Sequence, residues 1–202
     1  MQYPAESSIE TFQIPVRDTS LQADVVIPAQ PVGLVIFAHG SGSSRLSRRN
    51  IAVARLLHAS RLATLLFDLL TPLEDQVFSN RFDIELLTDR LVGAVEWAQQ
   101  QPNLKGLPIT LFGASTGAAA ALQAAARLEH TISAVVSRGG RPDLAVNELG
   151  HVQTPTLLIV GERDEDVVDL NKTALEKLQC EGKIVTVPGA THLSRSRGRW
   201  NR

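Results

Sequence analysis

The sequence predicts an α/β protein built on a mostly parallel sheet. Three observations predict it. Short, almost wholly apolar runs recur along the chain. Stretches with apolar residues at helical spacing separate them. Polar residues able to do chemistry gather just after those runs, where the carboxyl edge of such a sheet places its ligands.

The elements follow in order. Ile9–Ile14 and Leu21–Ile27 flank the polar stretch Arg17–Asp18–Thr19–Ser20, which predicts an antiparallel hairpin at one sheet edge. Then come Gly33–Ala38, Leu62–Phe67, Pro108–Phe112, Ile132–Val136, Pro155–Val160 and Lys183–Val187. Each is short and nearly all apolar, as parallel strands covered on both faces should be. Ile84, Leu87, Leu91, Val95 and Ala98 fall at helical spacing, as do Val167, Leu170, Ala174 and Leu178. Strands alternating with helices imply right-handed crossovers.

The 202 residues suit one domain, 1–202, with a sizeable core and no large cap. The formal charge of −1 gives no reason to expect a nucleic-acid or membrane-surface partner. The single cysteine, Cys180, excludes an internal disulfide. The start, MQYPAESSIE, lacks a basic region followed by an apolar run, and no apolar run approaches the ~20 residues that span a bilayer. A soluble, cytoplasmic protein is the expectation.

Gly113–Ala114–Ser115–Thr116–Gly117 reads G-x-S-x-G, with an apolar strand before it and the alanine-rich stretch AAAALQAAA after it. In a nucleophile elbow the serine occupies a strained strand-to-helix turn, and small neighbours prevent clashes. A tight strand-to-helix turn without chemistry would carry the same letters. A serine nucleophile needs a base, and the base an orienting acid. Asp164 follows the fifth parallel run, with Glu162 and Asp166 as alternatives, and His192 follows the sixth. The order Ser, Asp, His is that of α/β-hydrolases. One oxyanion donor is expected from the N–H of Thr116 and the other from Ser41, with Gly42 second; His39 is expected to anchor that loop.

VIFAHGSGSS, LFGASTG, VGERDEDV and VPGATHL together resemble the dienelactone hydrolase family of α/β-hydrolases, over about Ile9 to Leu193. The resemblance implies an α/β-hydrolase fold, helices on both sheet faces, and hydrolysis of small carboxylic esters or lactones without a cofactor. The namesake enzymes use cysteine as nucleophile; here Ser115 stands in its place, and Cys180 is expected to be a small core residue. A general serine carboxylesterase acting on a small-molecule ester fits the serine better than dienelactone itself, and a peroxide-dependent perhydrolase activity uses the same triad. In this fold a final helix normally follows the histidine loop. Here ten polar and basic residues, LSRSRGRWNR, follow His192, so the C-terminus reads as shortened and one sheet face as uncovered. The expectation is a homodimer with Trp200 at its contact.

Gly40, Gly42, Arg138 and Phe78 are the candidate substrate-binding residues. Arg45, Arg48 and Arg49 could draw an anionic substrate, or be a solvated loop and helix start. His58, His130 and His151 read as core or surface residues. No cluster has zinc spacing and no glycine-rich phosphate loop is present, so neither metal nor cofactor is expected. The reading from another class is a non-enzymatic binding or interaction protein on the same fold.

Overall fold

The computed structural model describes residues 8–191. Eight strands form one sheet: β1 (Ile9–Val16), β2 (Thr19–Val26), β3 (Gly33–Ala38), β4 (Leu62–Phe67), β5 (Ile109–Ala114), β6 (Ile132–Arg138), β7 (Thr156–Gly161) and β8 (Gly182–Val187). Their spatial order is β1-β2-β4-β3-β5-β6-β7-β8. The hairpin β1–β2 is antiparallel, β2 runs antiparallel to β4, and all other neighbours are parallel. The hairpin turn is only Arg17–Asp18, with Arg17 at φ 52°; Thr19 and Ser20 already belong to β2. They lie where β2 pairs with β1 alone, since β4 joins it only from Ala23, so polar side chains are tolerated there and polarity overstated the turn.

Four α-helices connect the strands: α1 (Arg48–Ala59), α2 (Ile84–Gln100), α3 (Thr116–Arg127) and α4 (Glu165–Lys177). The apolar stripe of α2, with Ile84, Leu87, Leu91, Val95 and Ala98, is buried as its spacing requires. Asp83 caps this helix by accepting from Leu86 N–H. α3 is buried from Thr116 to Ala125, so it lies almost wholly inside the protein. Its alanines let it approach the sheet closely, and their buried helical form carries little side-chain entropy cost. Where α2 meets β1, Gly93 is required: a Cβ there would lie 2.5 Å from Val16.

Three helices, α2, α3 and α4, share one face of the sheet with the larger core cluster, which includes Ile36, Leu65, Leu91, Leu111 and Leu122. α1 covers the other face over β3 and β4, through a smaller cluster of Val35, Phe37, Ala54, Leu66 and Phe112. β3 is therefore buried at every residue. At β6, β7 and β8 helices among the described residues cover only one face. There Ala134, Val136, Leu157 and Ile159 are half-buried and Val185 is exposed, because no helix among the described residues lies over them on the α1 side. Trp200, expected at a contact here, lies outside the described residues.

The strand order also fixes where a ligand can enter. From β3 the chain moves to β4 on one side, with α1 on one face. It then returns to β5 on the other side of β3 and proceeds to β8, with helices on the opposite face. The connections leaving β3 and β5 thus diverge and leave a crevice at their carboxyl ends. Among the described residues, no helix is long and apolar enough to cross a membrane.

Candidate active site

Ser115 occupies that crevice, between β5 and α3. Its backbone has φ 53° and ψ −121°, a combination that costs an L-residue strain. It stands at the N-cap of α3, where a serine usually accepts a hydrogen bond from the first turn. This serine does not cap the helix, and its hydroxyl has no hydrogen-bond partner among the described residues. The side chain is left for another task.

Glycines hold this turn. A Cβ at Gly113 would meet Ala118 Cα at 2.4 Å, and one at Gly117 would meet the carbonyl oxygens of Ala38 and His39 at 2.3 and 2.5 Å. The first turn of α3 thus lies directly on the end of β3. Gly40 in turn lies against Ser115, since a Cβ there would sit 3.0 Å from Ser115 Cβ. Gly40, Ser41, Gly42 and Thr116 line one small cleft with Leu69, Leu70 and Arg81. Gly42 adopts φ 65°, which favours glycine, at the turn that brings the loop round the cleft.

The loop after β3 is pinned from below. His39 is buried; its Nε2 accepts from Leu69 N–H at 3.0 Å, so the proton sits on Nδ1, which donates to the Gly40 carbonyl at 3.0 Å. Burial lowers the His39 pKa below its ordinary value and outweighs the Gly40 bond and the charges of Asp68 and Asp75. His39 is therefore a neutral anchor. Arg45 ties the same loop to Asp24 and Asp68 at 3.2 and 2.8 Å, so it is engaged as a brace. Arg48 and Arg49 open α1, behind the N-cap Ser47, which accepts from Asn50 N–H.

The long connection after β4 folds into two short 3₁₀ turns, Glu74–Gln76 and Phe78–Phe82. Thr71 and Glu74 form a reciprocal capping box at 2.8 and 3.2 Å. Glu74 also pairs with buried Arg90 at 2.6 Å. Burial alone would raise the Glu74 pKa, yet the bonds from Thr71 and Arg90 hold it below its ordinary value. Phe78 is 69% exposed and packs on Phe82, away from the cleft. Arg81, held bidentate by Asp75 at 2.8 Å, lines the cleft. Sequence reasoning missed Arg81 and Asp75, whose spacing of six residues has meaning only once the turns are formed.

Asp164 ends the turn after β7 and occupies the N-cap of α4 without capping it. It is half-buried, whereas Glu162 and Asp166 are exposed. Glu162 accepts from Gly189 N–H at 2.7 Å, so it is engaged in holding the next turn. Gly161 packs against that turn: a Cβ would lie 2.6 Å from the Ala190 carbonyl oxygen and 2.8 Å from that of Thr191. Arg163 N–H bonds the Ala190 carbonyl at 2.9 Å. The last described residues are therefore fastened beside the turn that carries Asp164. His192 lies outside the described residues.

Arg138, at the end of β6, turns towards α1 and bonds Asn50 at 2.9 Å. Cys180 sits half-buried beside Thr156, the first residue of β7, so it lies at the sheet edge opposite Ser115. Burial raises its thiol pKa, which favours an inert thiol. His58 bonds Thr64 at 2.8 Å, while His130 and His151 are exposed. Among the described residues, no group of three or more His, Cys, Asp or Glu could hold a metal ion.

The His39 anchor makes a pH prediction. Its folded pKa lies below the unfolded value of about 6.5, so its contribution is complete above that pH and is lost as pH falls from there towards the folded value. The urea midpoint of the wild type should drop between pH about 7.5 and about 5.5 by more than that of His39→Gln. His58, lowered by burial and by Arg55, contributes a share common to both proteins. Equal drops would contradict the anchor.

Comparison with known proteins places this geometry. Residues 70–197 match the model of the Dienelactone hydrolase family. A solved dienelactone hydrolase from Anabaena variabilis is 48% identical and superposes with a TM-score of 0.92, covering 96% of this chain and 92% of that one. Est1E from Butyrivibrio proteoclasticus shares the fold at 18% identity and a TM-score of 0.76, covering 90% of each chain. A Mycobacterium tuberculosis protein provisionally named a phosphoribosyl transferase is 51% identical over 184 residues, 91% of this chain. The chain spans only 42% of that relative's length. The chain belongs to the dienelactone hydrolase family and has its α/β-hydrolase fold.

Proposed function

We propose that the protein is a serine hydrolase of small carboxylic esters or lactones. The observation that carries this reading is Ser115, held at φ 53° on an N-cap that it does not cap. In this reading Ser115 Oγ attacks the ester carbonyl and His192 takes its proton. Asp164 orients the imidazole and stabilises its cation. The N–H groups of Thr116 and Ser41 hold the oxyanion; Thr116 is the first residue of α3, where backbone donors lack helical partners. Water, activated by His192, then releases the acyl group. The half-burial of Asp164 and the fastening of residues 190–191 beside its turn support the assignment.

The family's namesake reaction uses a cysteine, and the serine here favours a general carboxylesterase working in the cytoplasm. The transferase name belongs to a relative of which this chain matches 42%, so we take the matched portion to supply a hydrolase part of that protein. The cleft beside Ser41 and Thr116 is small, which supports a short acyl group. The half-buried strip over β6–β8, with Val136, Leu157, Ile159 and exposed Val185, supports association with a second copy.

Three measurements test this reading. On a series of p-nitrophenyl esters the protein should prefer the butyrate to the laurate in kcat/KM. Ser115→Ala, correctly folded, should lose kcat by up to about 10⁶-fold. Unchanged turnover in the variant would remove Ser115 from the chemistry. Sedimentation equilibrium at micromolar concentration should give twice 21.9 kDa; a clean mass of 21.9 kDa would refute the dimer.

A further inference from the structure

The buried face of α4 runs through Val167, Asn171 and Ala174. Asn171 is 0% exposed, at a position where a helix facing the core ordinarily carries an apolar side chain. Its Nδ2 donates to the Val167 carbonyl at 2.7 Å and to the Gly140 carbonyl at 3.1 Å. The first bond stays within the helix. The second leaves it and reaches the segment that follows β6. The amide oxygen of Asn171 is buried with no partner among the described residues, so the fold uses this side chain for its donors.

The Gly140 carbonyl belongs to the same peptide unit as the Arg141 N–H. That N–H donates to the Ser115 carbonyl at 3.2 Å, and the Ser115 N–H donates to the Arg138 carbonyl at 3.4 Å. The segment 138–141 therefore grips the strained residue at both of its peptide groups. It has little stiffness of its own. Gly139 stands at φ 52°, and Gly140 must be glycine because a Cβ there would lie 2.0 Å from Ser137 Oγ. Two adjacent glycines leave a chain with unusual freedom, so this grip has to be fixed from outside. The Gly139 N–H is held by the Ile159 carbonyl of β7 at 2.7 Å, and the Gly140 carbonyl by Asn171.

We infer that Asn171 is a positioning residue for the reaction: it fixes the Gly140–Arg141 peptide, and through that peptide the backbone that aims the Ser115 hydroxyl. The inference rests on the reading of Ser115 as the nucleophile and Asp164 as its acid. A donor to the Gly140 carbonyl also polarises that peptide, which strengthens the bond its N–H makes to Ser115. α4 carries Asp164 at its N-cap, so one helix sets the turn of the acid at its start and the turn of the nucleophile from its middle. Asn171 acts only through the peptide it holds. A nucleophile displaced by about 1 Å can lose about 10²-fold in rate while the substrate still binds.

Two variants of the full chain test it, Asn171→Ala and Ala174→Gly. Ala174 is buried on the same face of α4, so its change loosens the same packing and leaves the bond to Gly140 in place. With p-nitrophenyl butyrate well below the melting temperatures, Asn171→Ala should lower kcat at least about tenfold and change KM by less than about twofold. Fluorophosphonate labelling of Ser115 should slow by the same factor. Ala174→Gly should stay within about threefold of the wild type in all three. Wild-type kcat and labelling in Asn171→Ala, a loss confined to KM, or an equal loss in Ala174→Gly overturns the proposal. If Asn171→Ala does not fold, folded Asn171→Ser carries the same comparison, since its short hydroxyl bonds back to the preceding turn. If neither folds, the residue is structural and the proposal falls. Ser115→Ala separates this proposal from the reading beneath it. Turnover or labelling that survives Ser115→Ala removes the nucleophile and the positioning role together. Full loss in Ser115→Ala beside wild-type rates in Asn171→Ala removes the positioning role alone.

Discussion

The candidate site depends on one close approach: the first turn of α3 lies on the backbone that ends β3. Gly117 permits it, because any side chain there would overlap the carbonyl oxygens of Ala38 and His39 well inside van der Waals contact. Gly113 permits the same turn to fold back on α3 itself. Given these contacts, Ser115 has no relaxed backbone option and takes φ 53°. The N-terminal donors of α3 then face the loop after β3, and Gly40 can rest against the serine. A larger residue at either glycine would separate the two loops that form the cleft. The strain is held by the surrounding packing, since α3 is buried through Ala125.

Around this contact several polar groups serve as braces. His39 joins two loops through both ring nitrogens. Arg45 joins the loop after β3 to β2 and β4 through Asp24 and Asp68, and Arg90 joins the loop after β4 to α2 and β1 through Glu74 and the Val16 carbonyl. Arg138 is half-buried and bonds the amide of Asn50. Ser115 and Asp164 occupy helix N-caps and do not cap. Those exceptions to ordinary local chemistry are what single out residues for function.

Much of this was legible in the sequence. β3 and β4 follow their apolar runs residue for residue, because both faces are covered and nearly every position is apolar. β5 and β6 continue two residues further, through Gly113–Ala114 and Ser137–Arg138, since the carboxyl ends of strands carry ligand-facing residues that do not look like strand. Ser115 and Asp164 stand at strand ends as their positions along the chain predicted. α1 was less visible because its start is a run of serines and arginines, and its cap, Ser47, does not stand out among them. An uncovered face was expected from the polar stretch after His192, but that the open strip runs over β6–β8 was not legible, because valine, leucine and isoleucine read alike whether a helix covers one face or two. Phe78 was expected at the cleft as the aromatic of its loop; the 3₁₀ turn carries it outward, and Arg81 faces the cleft in its place.

We propose that the strained turn presents the Ser115 hydroxyl as a nucleophile, with His192 as the base that activates it. Incubation with a fluorophosphonate, followed by peptide mapping in a mass spectrometer, tests it without knowledge of the substrate. The account predicts stoichiometric phosphonylation on the peptide that contains Ser115, at Ser115 itself. An unmodified protein, or a label confined to another residue, would contradict it.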